Sequence, residues 1–304
     1  MMDLEQFADA ILNKIVNKAD DKFHLSITTE LKNNGIRLTG LSAVPKSSNG
    51  GPCVFLNEYY KEYMSGNMDI NQITNKVFQQ ISNYEDDVMN IDIMEFMNWE
   101  KVRGRIYAKL VNAEKNKEFL QTVPHRQFLD LAGVYYIESV FIEGQYLGTI
   151  QICNRHMQMW RQNEEMISQA AFENMHLAGN TVFEHLENVF KRLMPEFSDI
   201  YAGTACPLCN GMYILTNKNK VYGASEILDQ CTLMKISDKV NGDFIILPSS
   251  VHEVIILPKK AGLRYKDLAE MVQEINATEV SEDEFLSDHI YVYNRSKELL
   301  EIAA

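Results

Sequence analysis

The feature that most constrains this chain is the run Asp243-Phe-Ile-Ile-Leu-Pro-Ser-Ser-Val-His-Glu-Val-Ile-Ile-Leu-Pro258. Two apolar quartets, Phe244 to Leu247 and Val254 to Leu257, flank a polar connection that begins with proline. Each quartet is rich in β-branched residues and far shorter than an ordinary helix, so the spacing predicts two buried strands paired across a turn. Strands that are apolar on both faces need other elements to cover them. A chain of 304 residues is long enough to supply that cover without disulfides or metal.

The rest of the pattern supplies candidates. Leu4, Phe7, Ile11, Leu12 and Ile15 recur at helical spacing behind Asp3, which is placed as an N-cap. Phe23 to Leu31 alternates, and Ile36 and Leu38 resume the alternation after Asn33-Asn34-Gly35. An Asn-Gly pair between alternating segments predicts a hairpin, because its residues tolerate positive φ. Ser47 to Pro52 reads as a loop; Asn57 to Met64 and Asp69 to Tyr84 read as helices, with Gly66 between them as a stop. Glu85-Asp86-Asp87 lacks the spacing of a calcium loop and reads as a solvated turn.

Further on, Ile106 to Val111 is expected as a strand, Ala113 to Gln121 as a helix, and Phe128 to Ile137 and Tyr146 to Cys153 as strands about a Glu143-Gly144 turn. Helices are expected around Met157 to Met175. Thr181-x-x-Glu184 reads as a capping box ahead of a helix that Pro195 ends. Met212 to Thr216 is expected as a strand, Asn217 to Gly223 as a turn, Ser225 to Val240 and Tyr265 to Ile275 as helices, and Ile290 to Tyr293 as a closing strand. Clusters of strands punctuated by helices predict an α+β fold with mixed or antiparallel sheets: an N-terminal helix plus hairpin, and a C-terminal α+β region. A boundary near Tyr201 to Gly211 divides residues 1–200 from 201–304, and the two halves fit one continuous domain equally well.

The net charge of −13 argues against non-specific binding to nucleic acid or to anionic lipid. The acidic start Met1-Met2-Asp3-Leu4-Glu5 lacks the basic and apolar regions of a secretory signal, and no apolar run has the length of a membrane span. Five cysteines, an odd number at irregular positions, fit a reducing cytoplasm better than a disulfide framework.

Four groups of residues carry possible chemistry. Cys206 and Cys209 stand at the spacing of a zinc knuckle, but no further CxxC or His pair completes the four ligands, so ordinary thiols in a turn are preferred to zinc or redox roles. Ser249, Ser250, His252 and Glu253 bring hydroxyl, imidazole and carboxylate together. Strand alternation sets Glu253 on the face opposite Ser250 and His252. His125 and Arg126, behind Pro124, form a possible anion-binding corner, and Ser287-Asp288-His289 invites the same reading. Phosphate loops, His-Glu-x-x-His, and kinase and dinucleotide fingerprints are absent.

Several stretches then carry a family likeness: Lys32-Asn-Asn-Gly35, Leu110-Val-Asn112 with Asn116, Val123-Pro-His-Arg126 with Leu129-Asp-Leu131, and Met212-Tyr-Ile-Leu-Thr-Asn217. Gly223-Ala224, Ile246-Leu-Pro-Ser-Ser-Val-His-Glu-Val254 and Leu286-Ser-Asp-His289 continue it. Through these the chain resembles, nearly end to end, the uncharacterised DUF5688 family, and more weakly the DUF1444 family. The resemblance implies a shared fold and a cytoplasmic bacterial origin, and supplies no activity. Cys206 and Cys209 lie outside the family pattern.

Two functional readings result. One is a non-enzymatic binding or regulatory protein with a protein or small-molecule partner and no nucleic acid or membrane. The alternative is an enzyme or small-molecule binder whose pocket is built from His125, Arg126, Asn217, Ser249, Ser250, His252 and Asp288.

Overall fold

A computed structural model describes residues 2–83, 92–142, 145–193, 211–248, 250–260 and 262–303. The expected turns at Glu85 to Asp87 and Glu143-Gly144, the Pro195 stop, Ser249, and the Cys206 and Cys209 pair lie outside the described residues. The described residues form an α+β protein with three sheets whose pairings are antiparallel. The chain divides into two compact units, residues 1–97 with 140–145, and residues 98–139 with 146–304.

The first unit follows the expected pattern. Helix α1 (Leu4–Val16) starts at Asp3, whose carboxylate accepts from Gln6 N–H while the Gln6 side chain accepts from Asp3 N–H. Strands β1 (Phe23–Leu31) and β2 (Arg37–Pro45) pair with Leu31 opposite Arg37. The connection takes positive φ at Asn34 and Gly35, as their side chains allow. A short β3 (Cys53–Phe55) extends the sheet. Helices α2 (Asn57–Met64) and α3 (Ile70–Ser82) complete the layer. Phe7, Ile11 and Ile15 from α1 pack with Ile73, Val77 and Ile81 from α3 and with Leu41 and Ala43 of β2. Each of the larger side chains here, Val, Leu, Ile or Phe, contributes about 2 kcal/mol of transfer free energy.

The second unit holds two sheets. In one, β4 (Ile106–Asn112) and β5 (His125–Phe128) flank β6 (Leu131–Ile142), which also pairs with β7 (Gln145–Gln151). In the other the order is β13 (Leu299–Ile302), β12 (Tyr291–Asn294), β10 (Phe244–Leu247), β11 (Val254–Pro258), β9 (Tyr213–Asn217) and β8 (Thr181–His185). The two apolar quartets are β10 and β11, with Ile246 opposite Ile256. Phe244, Ile246, Val254 and Ile256 face a core that also contains Leu110, Leu131 and Leu215. Ile245 and Leu257 face the other way, onto Ala269 and Val272 of the helix Tyr265–Thr278. Both faces of β10 are covered, which is why its sequence is continuously apolar rather than alternating.

Five expectations are corrected. Thr181 to Glu184 is strand, not a capping box: Thr181 pairs with Asn217 and His185 with Tyr213, and the helix Leu186–Leu193 follows directly. Phe128 to Ile137 is split into two strands by a turn in which Leu129 takes φ 56°. Ala113 to Gln121 is helical only over Lys117–Leu120, because Asn112 Oδ1 accepts from Lys115 N–H and Asn116 donates back to Asn112 O, fixing a side-chain-capped turn first. Ser225 to Val240 is a 3-10 turn (Gly223–Leu228) and a separate helix (Gln230–Val240), since Asp229 accepts from Cys231 and Thr232 N–H and starts a new helix. Ile290 to Tyr293 does not close the chain; β13 pairs beyond it.

A polar latch ties the two sheets of this unit. Ser287 donates to Asp130 Oδ2 at 2.6 Å and Tyr291 donates to Asp130 Oδ1 at 2.7 Å. Asn112 Nδ2 donates to Leu286 O, and Asn276 Nδ2 donates to Ser287 O, each at 2.9 Å. Burial and the adjacent Asp130 carboxylate hold the Tyr291 phenol well above the ordinary tyrosine range, so it stays a donor. The stretches that carry the family likeness at Asn112, Leu129 to Leu131 and Leu286 to Asp288 thus meet in a structural network.

Candidate functional site

After Asn217 the chain leaves β9 in a strained turn. Lys220 and Tyr222 are left-handed, with φ of 53° and 55°, a region that non-glycine residues occupy only when their surroundings enforce it. Asn217 enforces it by donating to Val221 O at 2.8 Å and accepting from Val221 N–H at 3.2 Å. Thr216 donates to His252 O at 2.8 Å. Gly223 is wedged beneath: a Cβ there would lie 2.2 Å from Thr216 Oγ1 and 2.6 Å from both Asn217 N and His252 O.

Together with β4, β6 and the end of the helix Glu164–Ala178, this turn bounds a cleft with about 30 Å³ of room, the size of a single water-like group. Tyr107 and Tyr136 form one wall, with ring centroids 6.1 Å apart. Glu138, Asn217, Asn219 and Glu226 also line it. Glu226 is 6% exposed, and its Oε2 accepts from the Thr181 hydroxyl at 2.6 Å. Burial pushes the Glu226 carboxyl up to about 6; the Asp229 charge adds to the rise and the Thr181 hydrogen bond opposes it. Such a group exchanges a proton near neutral pH.

An aromatic row leads away from the cleft. Tyr136 meets Tyr222 edge-on at 5.2 Å, Lys109 lies over the Tyr222 ring at 4.7 Å, and Tyr222 stacks on His252 at 5.7 Å. His252 Nδ1 accepts from Tyr222 N–H at 3.2 Å, so that nitrogen carries no proton and the other does. Nε2 faces Glu284 Oε1 at 3.6 Å. Ser250 is close, but its Oγ accepts from His252 N–H at 3.1 Å rather than meeting the ring.

The structure therefore brings Asn217, Ser250 and His252 around one turn and sets His125, Arg126 and Asp288 elsewhere. His125 lines a shallow open hollow with Lys117 and Gln121, its Nδ1 3.1 Å from Val123 O. Arg126, on the opposite face of β5 by strand alternation, pairs with Glu164 at 3.2 Å, and Glu164 also accepts from Tyr135 OH at 2.5 Å. Asp288 Oδ1 accepts from Asn276 Nδ2 at 2.9 Å. Sequence reasoning missed Glu226, Thr181 and Tyr136. The Gly223-Ala224 pair was the available signal for Glu226; nothing in the spacing points to Tyr136.

No group of three or more His, Cys, Asp or Glu that could hold a metal ion occurs among the described residues. Among those residues no helix is long and apolar enough to cross a membrane.

Fold and site together define an α+β protein with a strained turn over a small acidic cleft. The model of the family of unknown function DUF5688 matches residues 4–295, and the chain belongs to that family. Searches of curated proteins and of solved structures return no match.

Proposed function

We propose that this is a non-enzymatic binding or regulatory protein of the cytoplasm, acting on a protein or small-molecule partner. The observation that carries this reading is the commitment of His252. Its Nδ1 is occupied by Tyr222 N–H and its Nε2 faces Glu284, leaving no ring nitrogen to take a proton from Ser250. Asn217 and Asp288 are likewise engaged with Val221 and Asn276. The negative net charge and the unbonded Cys53, Cys153 and Cys231 support a reducing compartment without nucleic acid. The test is a panel of nucleotide, ester and peptide substrates offered to purified protein. Turnover that disappears in His252→Ala would overturn the reading.

A second reading, an enzyme or small-molecule binder, is favoured by Glu226, whose carboxyl lines a cleft and titrates near neutrality. Of the residues first expected to build such a pocket, Asn217 lines this cleft and His125 lines the separate hollow.

A further inference from the structure

We propose that β1 is a docking edge for a second copy of this chain, the two strands pairing antiparallel about a two-fold axis at Ile27. β1 ends the β1-β2-β3 order, so among the described residues no strand pairs with its outer side. The bonds at the two ends of the hairpin show which backbone groups point outward. Lys46 N donates to Lys22 O, and Lys32 N donates to Ile36 O. Inward and outward groups alternate along a strand, so the backbone groups of His24, Ser26, Thr28 and Glu30 face β2. Phe23, Leu25, Ile27, Thr29 and Leu31 turn their N–H and C=O away from it.

Proteins usually blunt such an edge with a short strand, lysine, proline or a bulge. The edge strands β3, β13 and β8 have three, four and five residues. β1 has nine, pairs with β2 position by position without a bulge, and contains neither lysine nor proline. A row of unpaired backbone groups of this length is a template for another strand.

The occupant is read from the strand itself. With Ile27 opposite the Ile27 of the second copy, Leu25 meets Thr29 and Phe23 meets Leu31, so every outward N–H and C=O finds a partner. An axis at Leu25 or Thr29 leaves some of them unpaired. On the other face the same register sets Ser26 against Thr28 and His24 against Glu30, hydroxyl to hydroxyl and donor ring to carboxylate. Glu30 is bridged by Lys32 through Oε2 at 2.6 Å, and a carboxylate has acceptor positions beyond that one.

Helix α1 continues the apolar seam. It packs over β1 and β2, while α3 lies toward β3. Lys14 and Lys18 tie one flank of α1 to Asn71 and Asn75 of α3. By the helical repeat, Leu12 and Val16 lie on the opposite flank, toward the free edge, and Val16 is 53% exposed. Pairing of the strands brings the two copies of this flank together above the seam and covers it. The inference does not rest on the choice between binding protein and enzyme.

Sedimentation of full-length protein over a concentration series is expected to show the 35.0 kDa monomer passing to a dimer. In the dimer, amide exchange is expected to slow at Phe23, Leu25, Ile27, Thr29 and Leu31, and dilution to release those β1 amides alone. Thr29→Pro removes an outward N–H and no bond to β2, and is expected to weaken the dimer about a hundredfold. His24→Glu sets like charges opposite each other and is expected to weaken it about tenfold; adding Glu30→Lys should restore the affinity. This charge exchange decides the matter should the proline variant fail to fold. A protein that stays monomeric at every concentration, leaving the edge to a foreign strand, overturns the proposal. So does a dimer that His24→Glu leaves unweakened, or one whose exchange lacks the alternation along β1.

Discussion

Ser287 Oγ donates a 2.6 Å hydrogen bond to Asp130 Oδ2 across 157 positions of chain. The same carboxylate accepts from Tyr291, whose side chain is fully buried, as is that of Ser287. One acidic residue at a hairpin turn thereby anchors the end of one sheet to the entry strand of the other. Removing it strands two buried donors.

Asp130→Ala is therefore expected to destabilise the protein by about 3 kcal/mol, the scale set by charged hydrogen bonds and unsatisfied buried groups. Tyr291→Phe removes a donor and leaves none unpaired, so it should lose about 1 kcal/mol. Urea unfolding measures both, and additive effects in the double variant would contradict a shared network.

Glu226 makes stability depend on pH in a definite direction. Its folded pKa of about 6 lies above the ordinary value of 4.5, so the folded state holds its proton more tightly. Stability is highest below the unfolded value, falls between the two, and stays low above about pH 6. Burial is the main cause of the rise, the Asp229 charge adds to it, and the Thr181 hydrogen bond opposes it. Glu226→Gln is expected to be stabilising by about 2 kcal/mol above about pH 7 and neutral near pH 4, from the conversion of pKa shift to free energy. A difference independent of pH would refute this.

Gly223→Ala should deform the strained turn, because the added Cβ meets backbone atoms at 2.6 Å. A loss of about 2 kcal/mol is expected from such overpacking. The shift of Tyr222 and His252 resonances should exceed that of any residue in 1–97, and an undisturbed Tyr222 would refute it.

In the first unit, Asp69 accepts from Asn71 N–H at 2.7 Å and Gln72 N–H at 2.9 Å at the start of α3. Asp69→Ala should lose about 1 kcal/mol. Amide exchange over residues 70–82 is the suitable readout, since protection lost evenly across both units would argue against a local cap.

Periodicity and cap chemistry were enough to place α1, α3, the β1–β2 hairpin and the β10–β11 pair, because each reports a preference that a few neighbouring residues express by themselves. Asp3 caps with Gln6, Asn34 tolerates positive φ, and an apolar quartet demands cover on both faces. Where local preferences compete, neighbours in space decided. Thr181-x-x-Glu184 has the letters of a helix cap, yet five ladder pairs with β9 make it a strand. Leu129 takes a left-handed turn while Asp130 beside it is held by Ser287 and Tyr291, far along the chain. The candidate site was legible only in part: Asn217, Ser250 and His252 do gather at one turn, but whether a hydroxyl, imidazole or carboxyl is free to act depends on its partners. Tyr222 occupies His252 and burial raises Glu226. Hydrogen bonding and desolvation are set by atoms brought close in space, which spacing along the chain does not encode.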